Sequence, residues 1–135
     1  MREAIGELQL VLRHDEGYVP AHVNLGGALL DFGSDRAGAM RHLESALRLE
    51  PANALAKNNL AVAYLDAGET DKGLEILERL AGEPSPIAEV LYNLAIAHER
   101  AGKKLEAAKV FRRFLELDSQ SGWARLAKQK LEALK

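Results

Sequence analysis

Apolar residues recur along this chain at spacings of three and four, the pattern of helices that bury one face. Within that pattern a shorter one repeats. Asn24-Leu25-Gly26-Gly27-Ala28, Asn59-Leu60-Ala61-Val62-Ala63 and Asn93-Leu94-Ala95-Ile96-Ala97 each run Asn, Leu, a small residue, any residue, Ala, and they begin 35 and then 34 residues apart. Nine residues after each Asn stands a glycine: Gly33, Gly68 and Gly102. A second apolar helical pattern follows each glycine: Ala39-Met40-Leu43-Ala46-Leu47, Leu74-Leu77-Leu80-Ala81 and Ala107-Ala108-Phe111-Phe114-Leu115. Each period therefore predicts helix, tight turn, helix. The glycine stops the first helix because it enters the left-handed region without a Cβ penalty. Pro51 closes the first period and Pro84 with Pro86 the second, since proline cannot continue a helix, while the third ends on Asp118-Ser119. The first period carries one extra residue around Gly33-Ser34-Asp35.

The ends complete the repeat. Ala4-Ile5, Leu8 and Val11-Leu12, with a turn at Asp15-Glu16-Gly17-Tyr18, fit a second helix in register. Residues 120–135 form a last helix, with Trp123, Leu126, Ala127, Leu131 and Leu134 expected on one side and Arg125, Lys128, Gln129, Lys130, Glu132 and Lys135 on the other. A single domain over 1–135 follows: a half repeat at 1–18, repeats at 19–53, 54–87 and 88–119, and a capping helix at 120–135. One helix pair cannot bury its apolar face alone, so stacked pairs must supply the core. The N-terminal helix carries Ile5, Leu8, Leu10, Val11 and Leu12, more than one neighbour can cover. Two expectations follow. The chain is a C-terminal piece of a longer protein, or its N-terminal edge pairs with another copy.

These residues resemble the tetratricopeptide repeat (TPR) family. The Leu-small pairs Leu25-Gly26, Leu60-Ala61 and Leu94-Ala95 match its first helix, and Tyr64 keeps the aromatic that follows, where Leu29 and His98 stand in the other two repeats. Ala39, Gly73 and Ala107 match the small residue early in the second helix. Ala46 matches the later one, but Leu80 and Phe114 replace it elsewhere, so packing there should be wider. The resemblance covers nearly the whole chain. It implies an all-α, right-handed superhelical solenoid of antiparallel helix pairs, about eight helices in all, that works as a protein-binding scaffold and not as an enzyme.

Composition narrows the function. Hydrophobic residues make up 47% of the chain and charged residues 28%, which suits a packed core and argues against disorder. The net charge of -2 has the wrong sign for a general nucleic-acid binder. Residues 1–87 carry 8 Lys+Arg against 14 Asp+Glu, and residues 88–135 carry 10 against 6. This is either chance variation on solvated faces or a polarised surface that orients a partner or a second copy. There is no Cys, hence no disulfide framework and no thiolate chemistry, which fits a cytoplasmic protein. No apolar run approaches the roughly 18 residues of a membrane span. An uninterrupted signal-peptide core is also missing at Met1–Glu7, although export stays open if the chain is a fragment.

Chemistry-bearing motifs are absent. His14, His22, His42 and His98 show no zinc-helix spacing, and no phosphate loop, Gly-x-Ser-x-Gly elbow or paired carboxylates appear. His22 and His98 stand where the family often places an aromatic, and are read as half-buried packing residues. No catalytic residue, metal or cofactor is expected. What the resemblance does imply is a concave groove lined by the first helices. Its peptide-contacting residues would be Val23, Asn24, Leu30, Asn58, Asn59, Val62, Leu65, Tyr92, Asn93 and Ile96, with Gly27 on its floor and acids at Asp31 and Asp66. Asn24, Asn59 and Asn93 would form an amide ladder that grips an extended backbone, as in some TPR proteins, or would bond water and their own scaffold. The clamp by which chaperone-binding members hold a C-terminal carboxylate is incomplete. Asn59 fits one position, but Val23, Gly27, Glu89 and Asn93 replace the basic partners. The expected ligand is a peptide or helix with hydrophobic anchors and some positive charge, with no nucleic acid and no membrane insertion. Self-assembly through the N-terminal helix and an accessory role within a larger enzyme are the alternatives.

Overall fold

A computed structural model describes residues 2–31, 33 and 35–134. Met1, Phe32, Ser34 and Lys135, which the repeat and cap assignments include, lie outside the described residues. The described residues form eight α-helices and no strand: α1 (Arg2–His14), α2 (Val19–Asp31), α3 (Arg36–Leu49), α4 (Ala54–Asp66), α5 (Thr70–Ala81), α6 (Ala88–Arg100), α7 (Lys104–Leu117) and α8 (Gly122–Ala133). Two compact units divide the chain, residues 1–63 and 64–135. Within the first, α2 packs on α1 and α3; within the second, α6 packs on α5 and α7, and α7 on α8.

The turns follow the predicted glycines. Gly33, Gly68 and Gly102 have φ of 60°, 81° and 77°. After α4, Glu69 N donates to Tyr64 O at 2.8 Å, and after α6, Lys103 N donates to His98 O at 2.9 Å. These six-to-one bonds satisfy carbonyls that the helix end would otherwise leave open. Asp35 then opens α3 by accepting from Gly38 N at 2.8 Å. Ser121 opens α8 by accepting from Ala124 N at 3.1 Å.

The small residues are buried as their spacing predicts: Ala39, Ala46, Ala61, Ala95 and Ala107 are all 0% exposed. Gly26 shows why size matters. A Cβ there would lie 2.7 Å from both Cδ2 and Cγ of Leu43, so α2 and α3 approach too closely for any side chain. In the second unit, Phe111 and Phe114 fill the interior instead, with the Tyr92 ring 6.0 Å and 5.4 Å from theirs in edge-on arrangements.

The last helix is covered unevenly. Ala124 and Ala127 are its buried residues, while Trp123 is 59% and Leu126 43% exposed. One residue is 100° of helix rotation, and α8 meets its neighbours through the alanine stripe. Trp123 and Leu126 beside it stay largely exposed, with the Trp123 ring set edge-on to Tyr92. Lys130 Nζ ties α8 to α6 through Glu99 Oε1 at 2.8 Å.

Candidate functional site

The first helix of each repeat leaves one stripe uncovered by the second. On α2 it is Asn24, Gly27 and Asp31; on α4, Asn59, Val62 and Asp66; on α6, Asn93, Ile96 and Arg100. All are half-buried or exposed, and each set falls at positions i, i+3 and i+7, one face of a helix. Leu30 on α2 is also half-buried. Four other residues expected on this surface lie one helical step inside it. Asn58 is fully buried, and Val23, Leu65 and Tyr92 are less than one-tenth exposed. On α4, Asn58, Ala61 and Leu65 form the stripe that faces the core, so Asn58 is a packing residue of that stripe.

Polar partners within each unit refine the amide ladder and the acidic margin. Asn59 Nδ2 donates to Val23 O at a long 3.5 Å, and a Cβ on Gly27 would come within 3.2 Å of the same nitrogen. Asn59 thus bonds its own scaffold across to α2, over a glycine that makes room for it. In the second unit, Arg100 Nη1 lies 3.7 Å from Asp66 Oδ1, which offsets part of the acidic margin.

The second unit also holds a cavity of about 340 Å³ where the start of α6, the end of α7 and the start of α8 meet. Tyr92, Phe114 and Trp123 give it aromatic walls, and Glu89, Asn93 and Asp118 give it polar ones. Trp123 stands against the Tyr92 ring, centroid to centroid 4.9 Å at 64°. Burial pushes the Tyr92 phenol up from its ordinary pKa, so it stays neutral. Asp118 accepts from Ser121 Oγ at 2.5 Å, Ser121 N at 3.1 Å and Gln120 N at 3.2 Å. The Ser121 hydroxyl and then the backbone amides hold its carboxyl below the usual carboxylate range.

The first unit holds a different constellation. His22 Nε2 donates to Glu16 O at 2.7 Å, which fixes the proton on that nitrogen because a carbonyl only accepts. Its Nδ1 is then the acceptor, and His42 Nδ1 supplies the proton across 3.1 Å. The pair opens onto a cleft of about 510 Å³ with Leu12, Ser45 and Arg48 at its sides. Desolvation, then the His22 ring and Arg41, lower the His42 pKa against a smaller opposing pull from Asp35. His98 is buried with its Nε2 3.9 Å from Glu78 Oε1. Desolvation outweighs that carboxylate and lowers its pKa, so at neutral pH the contact joins a neutral ring to a carboxylate and is no ion pair. No group of three or more His, Asp or Glu converges as a metal site among the described residues.

Sequence reasoning missed the histidine pair and the aromatic cavity. His22 and His42 are 20 residues apart, and only their facing positions on paired helices join them. The spacing along α8 places Trp123 on the apolar side of that helix but says nothing of Tyr92 and Phe114 across from it, with which it borders the cavity.

Two tetratricopeptide-repeat models match the chain, over residues 34–84 and 88–121. No curated protein sequence matches it. Solved structures similar to it include a tetratricopeptide repeat protein from Parabacteroides merdae, with 26% identity and a TM-score of 0.70 over 96% of this chain and 52% of that one. This chain therefore spans about half of that protein's length. MamA from Desulfovibrio magneticus is 20% identical with a TM-score of 0.70, over 98% of this chain and 78% of that one. The TPR domain of Arabidopsis OM64 is 23% identical with a TM-score of 0.70, over 85% and 94%. The last two are likenesses of fold alone. With its period of 34 to 35 residues, its glycine turns and its buried small residues, the chain belongs to the tetratricopeptide repeat family.

Proposed function

We propose that this chain, a protein-interaction scaffold in the general sense of its family, holds a peptide or helix of a partner against the open stripes of its first helices. The observation that carries the reading is the recurrence of Asn24, Asn59 and Asn93 at the head of those stripes, with Val62 and Ile96 half-exposed three residues on. The amides suit a peptide backbone and the branched side chains suit apolar anchors. No helix among the described residues is long and apolar enough to cross a membrane.

Random-peptide display against the intact protein, followed by affinity measurement, tests the reading. Val62→Glu and Ile96→Glu should each weaken the selected peptides about tenfold with unchanged helicity by circular dichroism. Leu65→Glu would not serve the same test, because Leu65 is buried and a charge there would attack the fold itself. If both variants bind like the parent, the stripes are not the site. A second reading, self-association through α1, is favoured by the exposure of Leu10 and Val11. Sedimentation of the parent beside Leu10→Lys checks it: a mass that stays monomeric at high concentration excludes it.

A further inference from the structure

We propose that the cavity between the ends of α6, α7 and α8 receives a basic side chain of the bound polypeptide, an arginine or lysine. The assignment rests on the stripe-binding reading, since Asn93 belongs to both the α6 stripe and the cavity wall.

Three features of the cavity agree on a cation. Its walls carry two carboxylates, Glu89 and Asp118, and no basic group. This stands against the local trend, because residues 88–135 hold 10 Lys+Arg and only 6 Asp+Glu. An apolar side chain entering here would strip water from both carboxylates and offer them nothing in return. An anion would meet like charge.

Asp118 is also fixed in place before any ligand arrives. Its three hydrogen bonds to Gln120 and Ser121 occupy three of its roughly four acceptor positions and leave one open. A guanidinium or ammonium hydrogen therefore meets an immobile charge and does not have to order a floppy one.

The aromatic walls suit the same ligand. Tyr92 braces Trp123, whose indole remains 59% exposed. An indole is the strongest cation-π acceptor among side chains, and the methylene stem of arginine or lysine packs on Tyr92 and Phe114. A half-exposed Trp on a capping helix is costly to leave in water, and a stem-and-cation ligand covers it.

Trp123 is the sole tryptophan, so its indole N–H gives one proton–nitrogen NMR signal that reports on this cavity alone. The experiment titrates the intact protein with Nα-acetyl-arginine amide and, separately, with its neutral isostere Nα-acetyl-citrulline amide. The expected result is a saturating shift of the indole signal by the arginine probe, roughly fivefold or more tighter than by citrulline. Glu89→Gln should reduce that preference to the share owed to Asp118; Glu89 is exposed and outside the α8 cap, so the variant keeps its fold. Equal shifts with both probes, no shift with either, or a preference undiminished in Glu89→Gln overturns the proposal. Display-selected peptides separate the two readings. Peptides that need Val62 and Ile96 but carry no basic residue would overturn the cation pocket and keep the stripes. A specific arginine response without any selected peptide would keep the pocket and overturn the stripes.

Discussion

The first and third repeats build the same helix pair from opposite materials. At the closest approach, α2 and α3 bring Gly26 against Leu43, while the corresponding residues of α6 and α7 are Ala95 and Phe111. Where the first repeat has Ala46, the third has Phe114. Where the third seals its helix pair with Leu91 and Val110, the first places His22 and His42 and joins them by a hydrogen bond. A fold set by spacing thus accepts either small residues with a polar joint or large aromatic ones. The aromatic version has a by-product: Tyr92 and Phe114 wall a cavity at its edge.

The largest test of this contrast removes the aromatic filling. Phe111 is fully buried, and Phe111→Ala should lower stability by about 3–5 kcal/mol in urea unfolding followed by circular dichroism. Next comes Gly26→Ala, which gives the first repeat the residue of the third. Its Cβ meets Leu43 at 2.7 Å and the Ala39 carbonyl at 3.3 Å, and overpacking should cost about 1–3 kcal/mol. The reverse change, Ala95→Gly, should cost about 0.5–1 kcal/mol from backbone entropy in addition to its small loss of packing. If Gly26→Ala is neutral, the first repeat is not the tighter of the two.

The polar joint predicts a pH dependence. His42 and His98 both titrate below 6.5 in the folded chain. Above that value both are neutral whether the chain is folded or not, and their share of stability is complete. As pH falls through about 6.5 the unfolded chain takes up protons first, so stability declines until the folded-state values are passed. Urea midpoints across that range should fall with acidification. A double variant, His22→Leu with His42→Val, copies the third repeat and should flatten the curve to the share left by His98. An unchanged slope would mean that the pair is not strained by protonation. The smallest effect belongs to Asn59→Ala: its 3.5 Å bond to Val23 is long, and less than about 1 kcal/mol should be lost.

Most of the architecture was legible because its causes are local. Glycine stops, prolines and the three-and-four spacing act within a few residues, and the helices begin and end where they require. The surface was half legible. The heptad-like pattern of α4 identifies an apolar face, but whether Asn58 or Asn59 is the outer residue is a 100° question that packing decides. At α8 the spacing gives the side on which Trp123 stands but not how deeply it is covered: Ala124 and Ala127 are buried, while Trp123 stays largely exposed beside Tyr92. The His22–His42 bond depends on two helices facing at one height, information held in neither helix alone.

The glycine turns carry a kinetic consequence. Only Ala101, Gly102 and Lys103 separate α6 from α7, and only Ala67, Gly68 and Glu69 separate α4 from α5. Loops this short cost little entropy to close, and contacts between neighbouring helices keep the contact order low. Each helical hairpin can therefore act as a nucleus, and chains of this kind fold from whichever hairpin forms first. Replacing Gly68 or Gly102 by a β-branched residue would strain a left-handed turn that must form early, so its effect would be read in the rate of folding as much as in the stability reached at the end.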